Sequence, residues 1–216
     1  MKKIAILFAA AALFLAAAPA NAQLQVGAGY LNSTLNTTIR DNKANSNSNG
    51  VYAGLSYNIP IVAGLGIAPG VYYSLLFGKD VDVAERGILG EAKFESKSQE
   101  HAINVPVYLN YGFQLVDDFK FFLFAGPTVQ YGLSSKTTYT GDYTGAIQVG
   151  TENTVDNYGT DSTYKRLNVF VGGGLGMNAG PIQVTVGYDY GLMNLSTAET
   201  VKMNRSNLKI GGAFLF

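Results

Sequence analysis

The strongest constraint on this chain is a period of two. Between 182 and 192, Ile182, Val184, Val186, Tyr188, Tyr190 and Leu192 alternate with Gln183, Thr185, Gly187, Asp189 and Gly191. One side of that segment is wholly apolar, and the other carries nothing large and apolar. Strict alternation marks a strand whose two faces meet different surroundings. The last segment repeats it. Leu208, Ile210, Gly212, Phe214 and Phe216 face one way, Asn207, Lys209, Gly211 and Ala213 the other, and Leu215 is the misfit. Between 167 and 177, Leu167, Val169, Val171, Leu175 and Met177 oppose Asn168, Gly172, Gly174 and Gly176. Between 103 and 113, Ile103, Val105, Val107, Leu109, Tyr111 and Phe113 oppose Asn104, Pro106, Tyr108, Asn110 and Gly112. Looser segments near 24–35, 50–59, 65–77 and 119–133 bring the number of strands to eight.

The connections alternate as well. Short ones fall at 60–64, 114–118 (with Asp117 and Asp118) and 178–181, and long ones at 36–49, 78–100, 134–164 and 194–203. Eight strands with short turns on one side and long loops on the other predict an all-β fold, an antiparallel up-and-down transmembrane barrel. The aromatic residues of the apolar face fall into two bands. Tyr57, Tyr111, Phe113, Phe121, Phe214 and Phe216 lie near the short turns, and Tyr30, Tyr73, Phe77, Tyr131, Tyr188 and Tyr190 lie towards the long loops. Such bands are expected where a lipid-facing wall crosses two membrane interfaces. Residues 61–78 and 167–188 are long enough to span as helices. The glycines of both, with Pro69 in one and Pro181 in the other, make poor helices of them.

Composition narrows function more than it names it. The 216 residues hold no Cys, one His (His101), and equal numbers of basic and acidic groups, with only 14% charged against about 25% in soluble domains. That excludes disulfides, thiolate chemistry and multi-histidine metal sites. It leaves no basic footprint for nucleic acid. No cofactor is expected. Lys2 and Lys3, an apolar run over 4–18 and Ala20-Asn21-Ala22 predict a signal peptide over 1–22, with the barrel domain over 23–216. Export without cysteine fits a bacterial envelope.

The export signal, the eight alternating strands and the terminal Phe216 resemble the small outer-membrane barrels of the OmpA and OmpX type. The segments Asn104-Val105-Pro106-Val107-Tyr108-Leu109-Asn110-Tyr111-Gly112-Phe113 and Phe124-Ala125-Gly126-Pro127 are similar to the PorT-like outer-membrane β-barrel family. The resemblance implies insertion into the outer membrane by its assembly machinery, contact with outer-membrane lipid, and Phe216 as the assembly signal. It implies no single activity.

Motifs for chemistry are thin. The Gly172-Gly173-Gly174-Leu175-Gly176 run has Met177 where a dinucleotide loop needs glycine, and no helix follows, so small residues inside a narrow barrel account for it better. His101 has Ser98 and Glu100 as possible partners but no third, orienting group. No catalytic or metal site is assigned. The loops 78–100, with mixed charges, and 134–164, rich in Thr and Tyr, are candidates for an extracellular ligand, and hairpin strands are expected to extend beyond the membrane in 78–100. The expected role is structural or surface-interacting, with long loops outside, both termini periplasmic, and the lumen plugged by Tyr52, Tyr72, Leu76, Tyr108, Phe122, Phe124 and Phe170. A narrow pore, a secretion or assembly accessory, and a lipid-modifying enzyme are the alternatives.

Two interior features are expected. Pro69, Pro106 and Pro127 should interrupt strand ladders, each at a local bulge, because proline lacks a donor. Asp189 and Lys209 read as the only charged residues well inside the spanning segments. They should oppose each other directly if the last hairpin centres near residue 199.

Overall fold

The computed structural model describes residues 23–40, 42–85, 91–116, 119–144, 149–159, 164–198 and 200–216. The signal segment, Asp117 and Asp118 lie outside these residues. Every element described is a strand: β1 (Gln23–Ile39), β2 (Asn42–Val62), β3 (Leu65–Glu85), β4 (Glu91–Val116), β5 (Phe119–Thr144), β6 (Val149–Asp156), β7 (Leu167–Ala179), β8 (Ile182–Gly191) and β9 (Val201–Leu215). Neighbours are antiparallel in the order β4-β3-β2-β1-β9-β8-β7-β5, and β4 also pairs with β5. Eight strands therefore close a ring. The ninth, β6, lies outside it and pairs with β5 alone.

Alternation explains the wall. Leu175, Ile182 and Val51 are 63%, 56% and 56% exposed, whereas Asn168, Ser74 and Asp189 are 1%, 1% and 2% exposed. That is the reverse of a soluble core and the expected state of a barrel in lipid. Leu215, the misfit of the pattern, points inward and is buried near the short-turn end. Alternate glycines of β7 clear space for side chains from other strands. A Cβ on Gly172 would strike the Asp189 carboxylate, and one on Gly176 the Phe122 ring. A Cβ on Gly174 would come 2.6 Å from Phe124 Cζ and 2.7 Å from Gly187 Cα.

The three prolines sit at one height. Pro69 pairs with Val107, and Pro127 with Val171. This row lies midway between Tyr73–Ile103–Tyr131 above and Leu65–Tyr111–Leu123 below. Pairing between β2 and β3 passes from Ser56↔Gly70 to Ile59↔Ile67, skipping Pro69. Between β3 and β4 it passes from Pro69↔Val107 to Tyr72↔Asn104, skipping Pro106. Between β4 and β5 it passes from Pro106↔Thr128 to Leu109↔Ala125, skipping Pro127. Each proline thus removes one ladder bond towards the preceding strand, and the breaks step sideways around half the wall. The expected bulges are not there. Register is the same on both sides of every proline gap, because a missing donor costs one bond without adding a residue.

Bulges occur elsewhere. His101 pairs with Ser134 but Ala102 with Gly132, so Leu133 is an extra residue. Register also shifts between Pro60 and Val62 and between Gln114 and Val116. The bulge at Leu133 reverses the facing of β5. Thr128 and Gln130 are buried below it, and Ser135 and Thr137 above it.

The long loops are mostly strand. The 36–49 connection continues as β1 and β2 up to a turn at Arg40, and β4 rises twelve residues above Ile103 to Glu91, about 40 Å along the strand at ~3.3 Å per residue. The upper parts of β3, β4 and β5, with β6, form a four-stranded blade above the wall. On the short-turn side, Ala63 and Gly64 close β2 to β3 with φ of 36° and 84°, the left-handed pair that a two-residue hairpin requires.

Gly174→Ala should lower the temperature at which the folded gel band converts to the unfolded one, at a cost of about 1–3 kcal/mol for overpacking. Gly212 faces outward with only Gln183 O at 3.6 Å from a built Cβ. Gly212→Ala should stay within about 0.5 kcal/mol of the parent. Equal behaviour of the two variants would show that the aromatic rings are not seated on β7.

Candidate functional site

The lumen holds two buried ion pairs, one above the other. In the lower pair, Lys209 Nζ lies 2.5 Å from Asp189 Oδ2 and donates to the Tyr108 hydroxyl at 2.8 Å. Tyr108 is also 3.1 Å from Thr128 Oγ1 and 3.4 Å from Asp189 Oδ1. The side chains do not oppose each other directly. Asp189 faces Asn207, and Lys209 faces Gly187. The hairpin is centred one residue earlier than expected, because Asn194 folds the connection: its Oδ1 accepts from the backbone of Ser196 and Met203. The pair meets on the diagonal, where the long lysine side chain spans the ~7–8 Å between such positions.

The upper pair was missed in the sequence. Arg205 Nη1 and Nη2 donate to Glu100 Oε1 and Oε2 at 2.5 and 2.7 Å, a bidentate contact, and Gln130 Oε1 lies 3.4 Å from Nη1. Glu100 and Arg205 are 8% and 7% exposed. Asp189 and Lys209 are therefore not the only charges inside. The 78–100 connection takes in Glu100, and Arg205 falls between the 194–203 connection and the last alternating segment. Carrying the alternation two residues further, from Ala102 to Glu100 and from Asn207 to Arg205, would have found both on the inner face.

Around and above this pair further side chains pack. Leu76 and Phe170 are buried beside it, and the Tyr158 ring rests against Gly132. Burial, and next the Glu100 charge, push the Tyr158 hydroxyl well above its ordinary pKa. Tyr158 is held there from the β6–β7 connection. Asn157 Nδ2 donates to Ser135 Oγ at 3.0 Å and Thr137 Oγ1 at 2.8 Å, and Arg166 donates to the carbonyls of Leu133 and Tyr158, both at 2.9 Å. Tyr164 bridges to Ser196, so the β8–β9 connection braces the same segment.

Below, the lumen is not solid. Tyr52, Tyr72, Tyr108, Phe122 and Phe124 line a cavity of about 140 Å³ instead of filling it. Leu76 and Phe170, the other two residues expected to plug the lumen, lie above it.

His101 does not assemble a catalytic group. Its Nδ1 meets the Tyr73 hydroxyl on the outer face, while Glu100 points inward to Arg205. Ser98 likewise faces inward, against Gly78 and Ser48. Among the described residues no cluster of three His, Asp or Glu could hold a metal ion.

On the blade, Glu95 Oε1 takes Lys97 at 2.8 Å and Lys79 at 3.2 Å. The Lys97 hydrogen bond, then that from Lys79, hold the Glu95 carboxyl below its usual range. Phe94, Tyr139 and Val155 are exposed there, and Thr138 and Thr154 bond at 2.9 Å.

A closed antiparallel ring, apolar outside and polar inside, defines an integral β-barrel membrane protein. The chain belongs to the outer membrane protein beta-barrel domain family, whose model matches residues 16–197. That family places it in the bacterial outer membrane. Among the solved structures it is similar to are three outer-membrane proteins. Ail, the attachment invasion locus protein of Yersinia pestis, is 13% identical, over 90% of this chain and 99% of its own, with a TM-score of 0.35. Neisserial surface protein A is 16% identical, over 90% and 97%, at 0.38. The outer membrane enzyme PagL is 11% identical, over 88% and 98%, at 0.45. Comparison with curated protein sequences finds no match.

Asp189→Ala strands Lys209 inside the wall. It should cost about 3 kcal/mol or more, whereas Asp189→Ala with Lys209→Met should cost less. Heat-modifiability on gels ranks the two. A single variant as stable as the parent would mean that the lumen hydrates Lys209 freely.

Proposed function

We propose that this protein is a non-catalytic surface-interaction barrel. The ring anchors it among outer-membrane lipids, and the blade formed by 78–100 and 134–159 meets a ligand outside the cell. The observation that carries this reading is the blade itself. Its strands rise far beyond the spanning wall, expose Phe94, Tyr139 and Val155, and end in β6, whose outer edge pairs with no described strand. An open edge offers unpaired backbone groups to a partner.

In this reading residues 1–22 are removed on export, so that Gln23, the first residue of β1, begins the mature chain. Phe216 serves the assembly machinery, and both termini are periplasmic. Phe216 packs against Phe214 with ring centroids 4.9 Å apart and planes tilted by 60°, and its N–H donates to Leu24 O at 2.9 Å, where the ring closes. Asp189 and Lys209 hold β8 and β9 in register. The lumen is shut at the blade end by Glu100, Arg205, Phe170 and Tyr158, so the barrel does not conduct.

Epitopes inserted at Asn47 and Gly150 should be labelled on intact cells; labelling only after permeabilisation reverses the orientation. In planar bilayers the protein should give no stable openings of nanosiemens size. Cells displaying the whole protein should attach to matrix-coated surfaces, or to one another, more than cells whose blade hairpins are trimmed to short turns. Equal attachment at equal surface display would sink the interaction role.

A further inference from the structure

The lumen cavity carries chemistry that a surface role does not use. Its volume is about 140 Å³, and its lining continues down the lumen to Gly112 and Asn178. Phe122, Phe124 and Tyr52 give it aromatic walls, and Asn58 and Asn110, 3.0 Å apart, set amides beside them. Its one deep pair of charges is already spent. Asp189 and Lys209 hold each other at 2.5 Å with Tyr108 closing on both, so a charged group beside Asn207 would find no free counter-charge there; Lys120 lines the cavity only near Gly112, at the short-turn end.

One atom on this wall is left over. Asn207, 4% exposed and facing Asp189 across the β8–β9 ladder, has an Oδ1 with no hydrogen-bond partner. An amide oxygen accepts, so the vacancy asks for a donor. A purely apolar ring would leave that oxygen unpaired. Water alone would satisfy it but wet the phenyl faces. A ring with apolar C–H faces and hydroxyl edges satisfies both.

We propose that the cavity is a binding site for one uncharged, polyhydroxylated six-membered ring, of the pyranose or cyclitol class. The ring lies against Phe122 and Phe124 and donates a hydroxyl to Asn207 Oδ1. The cavity runs down to Gly112 and Asn178, near the short-turn end, and a guest enters from there. The site is independent of the blade.

The test uses the mature protein in a zwitterionic detergent, because sugar-headed detergents would compete. Methyl α-D-glucopyranoside and myo-inositol are titrated, and the amide resonances of Gly187 and Gly211 are followed by NMR. At least one of the two should give a saturable shift in the millimolar range. Asn207→Leu should weaken it by about tenfold or more. Ala68→Phe, which fills the cavity, should abolish it. Both variants are first checked for the folded band on gels, and either one alone suffices as the control. No saturable shift, shifts unchanged in the variants, or shifts confined to the blade would each overturn the proposal.

Discussion

A backbone N–H or C=O left without a partner in hydrocarbon costs several kcal/mol, and lipid offers no water to supply one. Closure of the ring is the constraint on which the rest of this structure depends. It joins β1 to β9 through fifteen register pairs from Gln25↔Leu215 to Ile39↔Val201, and ties the last residue to Leu24. It also fixes what the two faces of every strand must be. The outer one meets lipid, the inner one meets a lumen too narrow for bulk water, and side chains alternate between them.

The proline seam is informative against that background. Three ladder bonds are missing at mid-height, where their loss is least compensated by solvent, and the carbonyls of Tyr57, Gly70 and Val107 each lose a donor. The wall keeps its register all the same, because the pairs above and below each gap hold the strands at their usual spacing. The cavity lies directly inside this seam, with Ala68, Pro106, Tyr108 and Thr128 among its lining. The polar interior is arranged in layers over it: the Asp189–Lys209–Tyr108 group, then Glu100–Arg205–Gln130, then the Tyr158 cover. In these two buried pairs each charge is matched within the lumen, as burial of ions in a poorly hydrated space demands.

Strand facing was legible in the sequence wherever the alternation was strict. The segments containing Leu208, Ile182, Leu109 and Val171 face as their pattern required. The lumen pair was legible because Asp189 and Lys209 stand alone in otherwise uncharged segments. Glu100 and Arg205 were not, because polar residues on both faces hide the alternation above the membrane. Hairpin strands were legible in 78–100, but the other strands there read as loops, and β6 was not visible at all. The register of the last hairpin was off by one residue at its centre, since a side chain, Asn194, shapes that turn and loop length alone does not reveal it. The prolines announced breaks, but not that the breaks would leave the register untouched.

The sequence by itself determined that this chain crosses a membrane with strands, how many cross, and which residues face lipid. Those properties follow from a local period of two and from the banding of aromatic residues, and need no knowledge of distant contacts. Only the tertiary structure decided which charges pair, that Tyr158 packs beside Glu100 and Gly132, and that a cavity survives among rings large enough to have filled it. These depend on where side chains from non-adjacent strands meet across the lumen, such as Tyr108 against Lys209 or Arg205 against Glu100. The stagger of a closed barrel sets those meetings, and no stretch of one strand encodes that stagger.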